Sequence, residues 1–250
     1  MNGWAWRLEW LRLCRTHRFL AAAALFITFG MSGPFMALYS GAIIARAGAS
    51  LSVPPVAVTP AAGVASFVDN SIGLGLLLVI VIAAATLAID HRPAVSIYYR
   101  SRARSAAALI IPRYVVVTLA MIAAYSVGAW ITWYETAVLI AMPSAAAMVL
   151  GNLLVALYLA FAVAVVALLS ALLRGMLLIA GVAAMALLAL PVAGLVPGLG
   201  AWMPSRLLTA QHTLLGTAGL TDFTPAAAVA AIATTICLTL ATRYAYRREI

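Results

Sequence analysis

The chain has 250 residues, of which 66% are hydrophobic and only 8% are charged. A soluble globular domain carries roughly a quarter charged and just under half apolar residues, so this composition excludes one. All 15 basic residues are arginine, and the absence of lysine excludes Schiff-base chemistry and the phosphate-binding lysine of a P-loop ATPase.

The first predicted element is an amphipathic helix at the membrane interface, covering residues 1–18. Glu9, Arg12 and Thr16 form a polar wedge on a helical wheel, beside an apolar stripe that contains Trp6 and Trp10. Tryptophan favours the headgroup level, and arginine there meets anionic lipid. The segment is therefore either an interfacial anchor or an anchor that also docks a cytoplasmic partner through Glu9 and Arg12.

Six apolar segments follow, each near the 20 residues that a transmembrane helix needs. We expect these spans at about residues 19–42, 72–89, 114–133, 145–170, 175–194 and 225–242. The charge-free stretch 136–173 is too long for one span, so we break it at Pro143 and treat 136–142 as an interfacial piece or an extension of the helix. The first apolar run is longer than that of a cleavable signal peptide and is expected to be retained. The predicted fold is all-α, a single membrane domain covering residues 1–250.

The arginines predict the orientation. Thirteen of them lie before the first span, between the second and third, between the fourth and fifth, or after the sixth. Only Arg46 and Arg206 fall on the other side. Because cytoplasmic loops are enriched in arginine and lysine, both termini are predicted to be cytoplasmic. Because the arginines lie next to apolar spans, their role in topology explains the basic charge, which therefore does not indicate nucleic-acid binding.

The loop between the second and third spans, residues 90–104, is the longest cytoplasmic connection. It combines charged and aromatic residues: Asp90, His91, Arg92, Tyr98, Tyr99 and Arg100. Arginines alone suffice as a topology signal. The Tyr98–Tyr99 pair beside them resembles a protein-contact surface or a second headgroup anchor, so a topology signal alone and a contact surface both stay open.

Ionisable side chains are missing from the middle of every predicted span. Such residues usually mark proton or ion relays, so their absence argues against a proton-coupled transporter, an ion channel and an intramembrane enzyme. Asp69, Asn70 and Glu135 are expected at solvated helix ends. Residues 195–224 suggest an amphipathic or re-entrant stretch at the outer surface, where His212 has no second metal ligand nearby. Cys14 and Cys237 are expected to pack as small apolar residues.

The order of these features resembles the ABC-2 type permease family, the transmembrane subunits of bacterial ABC exporters. The resemblance covers nearly the whole chain and rests on seven features in order. In the first half these are Glu9 before a basic cluster, Gly33-Pro34 in the first helix, and Val53-Pro54-Pro55 with Thr59-Pro60 in the outer loop. They are followed by Asp90-His91-Arg92 in the inner turn, an arginine-rich inner loop, Trp202-Met203-Pro204-Ser205 outside, and the basic tail 243–248. The inner loop departs from the family pattern, because Pro93-Ala94 replaces a glycine and Tyr99-Arg100-Ser101-Arg102 stands where a proline motif is usual.

The resemblance implies a permease subunit that exports a hydrophobic or amphipathic substrate, such as a drug, antibiotic, peptide or lipid-like molecule. A separate cytoplasmic ATPase would bind ATP and magnesium, and this chain would have no catalytic, cofactor or metal residues. A second permease, identical or homologous, would complete the path. The loop 90–104 would be the coupling helix, with the N-terminal helix beside it. The second and fifth helices would line the path, with Ser71, Met176 and Met185 as soft or weakly polar contacts.

The resemblance also implies a multi-pass protein of the bacterial cell membrane. Two other classes stay open from the sequence. One is a membrane anchor or sensor subunit that transports nothing. The other is a lipid-modifying membrane enzyme, for which Asp90 and His91 are the only adjacent acidic and histidine residues.

Overall fold

A computed structural model describes residues 3–46, 58–88, 106–216 and 218–247. All regular secondary structure in these residues is helical, and six helical segments are long and apolar enough to cross a membrane. The candidate spans are Arg18–Tyr39, Pro60–Leu87, Ala107–Leu139, Ala145–Leu172, Met176–Ala193 and Leu220–Ala245. The predicted all-α class with six spans is confirmed, and these spans indicate a multi-pass membrane protein.

The helices are numbered here in chain order. A short helix precedes the spans, and small helical turns separate the last two. The α-helices are α1 (Gly3–Arg15), α2 (Arg18–Arg46), α3 (Pro60–Asn70), α4 (Leu76–Leu87), α5 (Ala106–Leu139), α6 (Ala145–Leu172), α7 (Met176–Ala193), α8 (Ala210–Thr213) and α9 (Thr224–Arg247). The chain bends between α1 and α2 at His17, whose φ of 54° lies in the left-handed region.

The second span differs most from the prediction, which began it at residue 72. Helix α3 begins at Pro60, behind Thr59, whose hydroxyl accepts a hydrogen bond from the Ala62 amide at 3.3 Å. A π-helical turn, Ser71–Gly75, then joins α3 to α4 without a break. A capping threonine before a proline is a strong start signal. The polar residues Asp69 and Asn70 interrupt the apolar run, and for this reason the prediction began the span after them.

The connection between the third and fourth spans lies at Pro143, where it was predicted. Helix α5 runs on through Leu139, so most of the segment 136–142 extends the third span instead of forming a separate interfacial piece. Helix α6 begins after Ser144, whose hydroxyl accepts from the Ala147 amide at 3.4 Å. The Trp133 indole donates to the Pro143 carbonyl at 3.1 Å and fixes the turn against α5.

Helix α6 is the centre of the bundle. It packs against α4, α5, α7, α8 and α9, and Tyr158 and Val163 on it are fully buried. Helix α7 shows the opposite pattern, since Leu177 and Met185 are 85% and 77% exposed. In a membrane, exposed apolar side chains of this kind face lipid or another protein.

Glycines allow α2 and α5 to approach closely. A Cβ added at Gly128 would lie 2.5 Å from the Phe26 carbonyl oxygen, and one added at Gly30 would lie 2.6 Å from the Gly128 carbonyl oxygen. Small residues permit such backbone contact between membrane helices. The phenyl ring of Phe26 then packs edge-on against Tyr125, with 5.4 Å between ring centroids.

Replacing Gly128 with alanine is expected to destabilise the bundle by about 1–3 kcal/mol, because the new methyl group overlaps the α2 backbone. The matched control is Gly181→Ala on α7, where an added Cβ meets nothing within 4 Å. The control is expected to be neutral or slightly stabilising. Unfolding midpoints in a mixed-detergent titration measure both, and equal midpoints for the two variants would contradict the close crossing.

Candidate functional site

A buried ion pair connects helix α1 to α5. The Arg113 Nε donates to Glu9 Oε1 at 2.8 Å, and the side chains are only 3% and 6% exposed. The second oxygen, Glu9 Oε2, accepts no hydrogen bond within the described part of the chain. Two opposite charges out of water attract strongly, and removing one leaves the other uncompensated. The pair therefore fixes α1 in one position on the bundle.

A second polar contact lies at the same end of the bundle. The Arg18 guanidinium donates to the Thr86 hydroxyl at 2.9 Å, and that hydroxyl donates to the Ile82 carbonyl at 2.8 Å. The contact joins the start of α2 to the end of α4. We call this end, marked by Glu9, Arg18, Thr86 and Arg113, the α1 end. The sequence-predicted loop 90–104 connects the α1 ends of α4 and α5.

The predicted coupling residues divide into two groups. Glu9 is buried in the ion pair, and Arg12 on the same helix is half-buried. The others lie outside the described residues: Asp90, His91, Arg92, Tyr98, Tyr99 and Arg100.

The three predicted path residues lie in different environments. Ser71 is 6% exposed within the π-helical turn, and its hydroxyl has no hydrogen-bond partner among the described residues. Met176, at the start of α7, is half-buried, whereas Met185 is 77% exposed. Helices α4 and α7 pack against each other.

The chain between α7 and α9 turns back into the bundle. The Tyr125 hydroxyl on α5 donates to Gln211 Oε1 on α8 at 2.6 Å, and Gln211 is fully buried. A Cβ added at Gly151 would lie 2.6 Å from the Gln211 Cα, so α8 rests directly on the α6 backbone. Gly151 is six residues into α6, about 9 Å below the start of that helix. The segment therefore packs into the helical bundle beside α5 and α6.

Next to it, the Asn152 amide donates to the Ser126 hydroxyl at 2.9 Å. Two side-chain hydrogen bonds thus join α5 to α6 and α8 within an apolar bundle. Sequence reasoning missed Tyr125, Ser126, Asn152 and Gln211. The available signal was the presence of amide side chains at 152 and 211 next to long apolar runs, since buried amides need partners.

His212 follows Gln211 and faces the second span. Burial lowers the pKa of His212, and the Asp69 carboxylate acts in the opposite direction. The two groups are therefore within electrostatic range, as expected from the packing of α8 against α3. His212 Nδ1 is buried and has no hydrogen-bond partner among the described residues. Throughout the described residues, no group of three or more His, Cys, Asp or Glu side chains is arranged to hold a metal ion.

No protein-family model, curated protein or solved structure matches the chain.

The Glu9–Arg113 pair predicts strong coupling between two single variants. Glu9→Gln and Arg113→Gln are each expected to lower the free energy of unfolding by about 3–5 kcal/mol, because each strands a buried charge. The double variant is expected to lose clearly less than the sum of the two. Detergent-denaturation curves of all three measure the coupling. Glu135→Gln, on the partly exposed end of α5, is the matched control. Additive losses in the double variant would show that Glu9 and Arg113 do not interact.

Proposed function

We propose that this chain is a permease subunit of an ATP-driven exporter in the bacterial cell membrane, powered by a separate cytoplasmic ATPase that binds ATP and magnesium. A second permease subunit, identical or homologous, completes the translocation path. The observation that carries the proposal is the buried Glu9–Arg113 pair, which makes α1 a rigid part of the bundle at the end where the basic loop 90–104 joins α4 to α5.

The distribution of arginine supports a cytoplasmic α1 end. Arg7, Arg12, Arg15 and Arg18 lie at or near that end, and positive charge is retained on the cytoplasmic side of membrane proteins. In the proposed orientation, α1 and the loop 90–104 both face a cytoplasmic partner. The proposal agrees with a chain that carries no lysine for a P-loop of its own.

The contacts at the α1 end suggest how force passes into the membrane. A partner that moves the loop 90–104 pulls on the ends of α4 and α5. The Thr86–Arg18 bond passes that movement to α2, and the Arg113–Glu9 pair passes it to α1. Four helices are therefore displaced together, which is what a lever driven by ATP closure requires.

The exposed surface of α7 supports a hydrophobic or amphipathic cargo. Helices α4 and α7 pack together, and α7 presents Leu178, Met185 and Val192 on its exposed surface. An aliphatic surface with a thioether suits a hydrophobic or amphipathic molecule better than a small hydrated ion. Drugs, antibiotics, peptides and lipid-like molecules all belong to that class.

The proposal predicts a stoichiometric ATPase bound to the chain. The tagged protein, expressed together with its genomic neighbours and purified in mild detergent, is expected to retain an ATPase of separate sequence with vanadate-sensitive hydrolysis. The double variant Asp90→Asn with Arg92→Gln is expected to lose most of that bound ATPase, because the docking loop is altered. Arg206→Gln, at the opposite end of the bundle, is the matched control and should retain it.

Two results would contradict the proposal. An ATPase-free oligomer, purified from cells that contain the neighbouring genes, would favour a membrane anchor or sensor subunit. An ATPase that binds the double variant and the control equally would remove the docking role of the loop 90–104.

A further inference from the structure

The second span carries an exposed carboxylate, Asp69, far from the α1 end. Positions 69 and 86 are 17 residues apart, which is about 25 Å along a helix. Thr86 accepts a hydrogen bond from Arg18, and a guanidinium marks the headgroup level because deeper placement is costly. The hydrocarbon core is about 30 Å thick. On this spacing Asp69 lies near the far boundary of the core, at the end opposite α1, and its side chain is exposed.

The surface around Asp69 is polar and open. Ser66, Asp69, Asn70 and Gly73 occupy i, i+3, i+4 and i+7 positions, so they form one stripe along α3 and the π-helical turn. Asp69, Asn70 and Gly73 are exposed, and a Cβ added at Gly73 would meet nothing within 4 Å. The Asn70 amide donates to the Ser66 carbonyl at 2.9 Å. Lipid tails satisfy neither a carboxylate nor an amide, so this stripe does not face lipid.

The segment that contains α8 supplies further polar groups beside the stripe. Helix α8 packs on α3, and its His212 is within electrostatic range of Asp69. Gln211 is fully buried, and its Nε2 has no hydrogen-bond partner among the described residues, as is also true of His212 Nδ1. Buried polar groups without partners are costly unless a ligand or water satisfies them. An apolar contact lies close by, because Leu74 at the end of the stripe is 63% exposed.

We propose that Asp69 faces the aqueous translocation path and binds the positive charge of an amphipathic cation, whose apolar part rests on Leu74. This inference rests on the proposed transport function and narrows its cargo class. A carboxylate beside an apolar surface in a medium of low dielectric constant favours a weakly hydrated organic cation over a small inorganic ion. Neutral and anionic amphiphiles gain nothing from Asp69.

Binding of tetraphenylphosphonium tests the proposal directly. The full chain is placed in nanodiscs of neutral phosphatidylcholine, and equilibrium binding is measured against protein-free nanodiscs. Asp69→Asn is expected to weaken binding by about tenfold or more, because it removes the charge and keeps the shape. The matched control is Asp222→Asn, an exposed acid at the start of the last span that accepts a hydrogen bond from the Gly219 amide. The control is expected to bind like the unaltered chain. Tetraphenylborate, an anion of the same shape, is expected to bind no better than to empty nanodiscs.

Three outcomes would overturn the proposal. Equal affinity of Asp69→Asn and the unaltered chain would show that Asp69 takes no part in binding. Equally tight binding of tetraphenylborate would show that only shape and hydrophobicity are recognised. Loss of binding together with dissociation of an oligomer, measured by light scattering, would place Asp69 in an interface between copies instead of a path.

The test is independent of the ATPase. Asp69-dependent binding of the cation by a chain that binds no ATPase would preserve the site and refute the proposed exporter. An ATPase-bound chain whose cation binding ignores Asp69 would preserve the exporter and refute the site.

Discussion

The position of α1 depends on one buried ion pair. Glu9 and Arg113 are almost completely removed from solvent, so either one alone would be an uncompensated charge. The geometry of the α1 end follows from this constraint. Helix α1 must lie where its carboxylate reaches α5, and the bend at His17 lets α2 enter the bundle from there. The Arg18–Thr86 bond then ties α2 to α4.

Near the middle of α5, neutral polar contacts hold a second segment in place. Tyr125 binds Gln211, and Ser126 binds Asn152, so a short non-spanning segment is held against α5 and α6. These hydrogen bonds fall in an apolar setting, where an unpaired partner is costly. The bundle therefore has an ion pair at the α1 end, whereas the amide hydrogen bonds lie at about the same level of α5 as its close glycine contacts with α2.

Much of the fold was predictable because the bilayer imposes one dominant rule. Spans need about 20 apolar residues, so six long apolar runs gave six helices, and Pro143 with Ser144 marked the break between α5 and α6. The start of the second span at Pro60 was missed, because Asp69 and Asn70 lowered the local hydropathy. A helix tolerates such residues when they face something other than lipid, and hydropathy along the chain does not record the direction a side chain faces.

The candidate sites were harder to predict for a related reason. Glu9 was singled out as a polar residue on α1, but its partner is 104 residues away, and no local pattern connects the two. Gln211 similarly finds Tyr125 across 86 residues. Local periodicity gives the face of a helix, whereas the pairing of buried polar groups depends on how helices pack. The proximity of Asp69 to His212 likewise depends on the packing of α8 against α3.

The proposed function depends on the orientation of the α1 end, because a cytoplasmic ATPase can act on this chain only from that side. Single cysteines at Thr16, beside α1, and at Thr221, in the exposed turn Leu220–Phe223, are introduced after replacing Cys14 and Cys237 with alanine. A membrane-impermeant thiol reagent is then applied to intact spheroplasts and to inside-out vesicles. We expect Thr16→Cys to react only in inside-out vesicles and Thr221→Cys only in spheroplasts. The reverse pattern would place α1 outside the cell and contradict an ATP-driven permease.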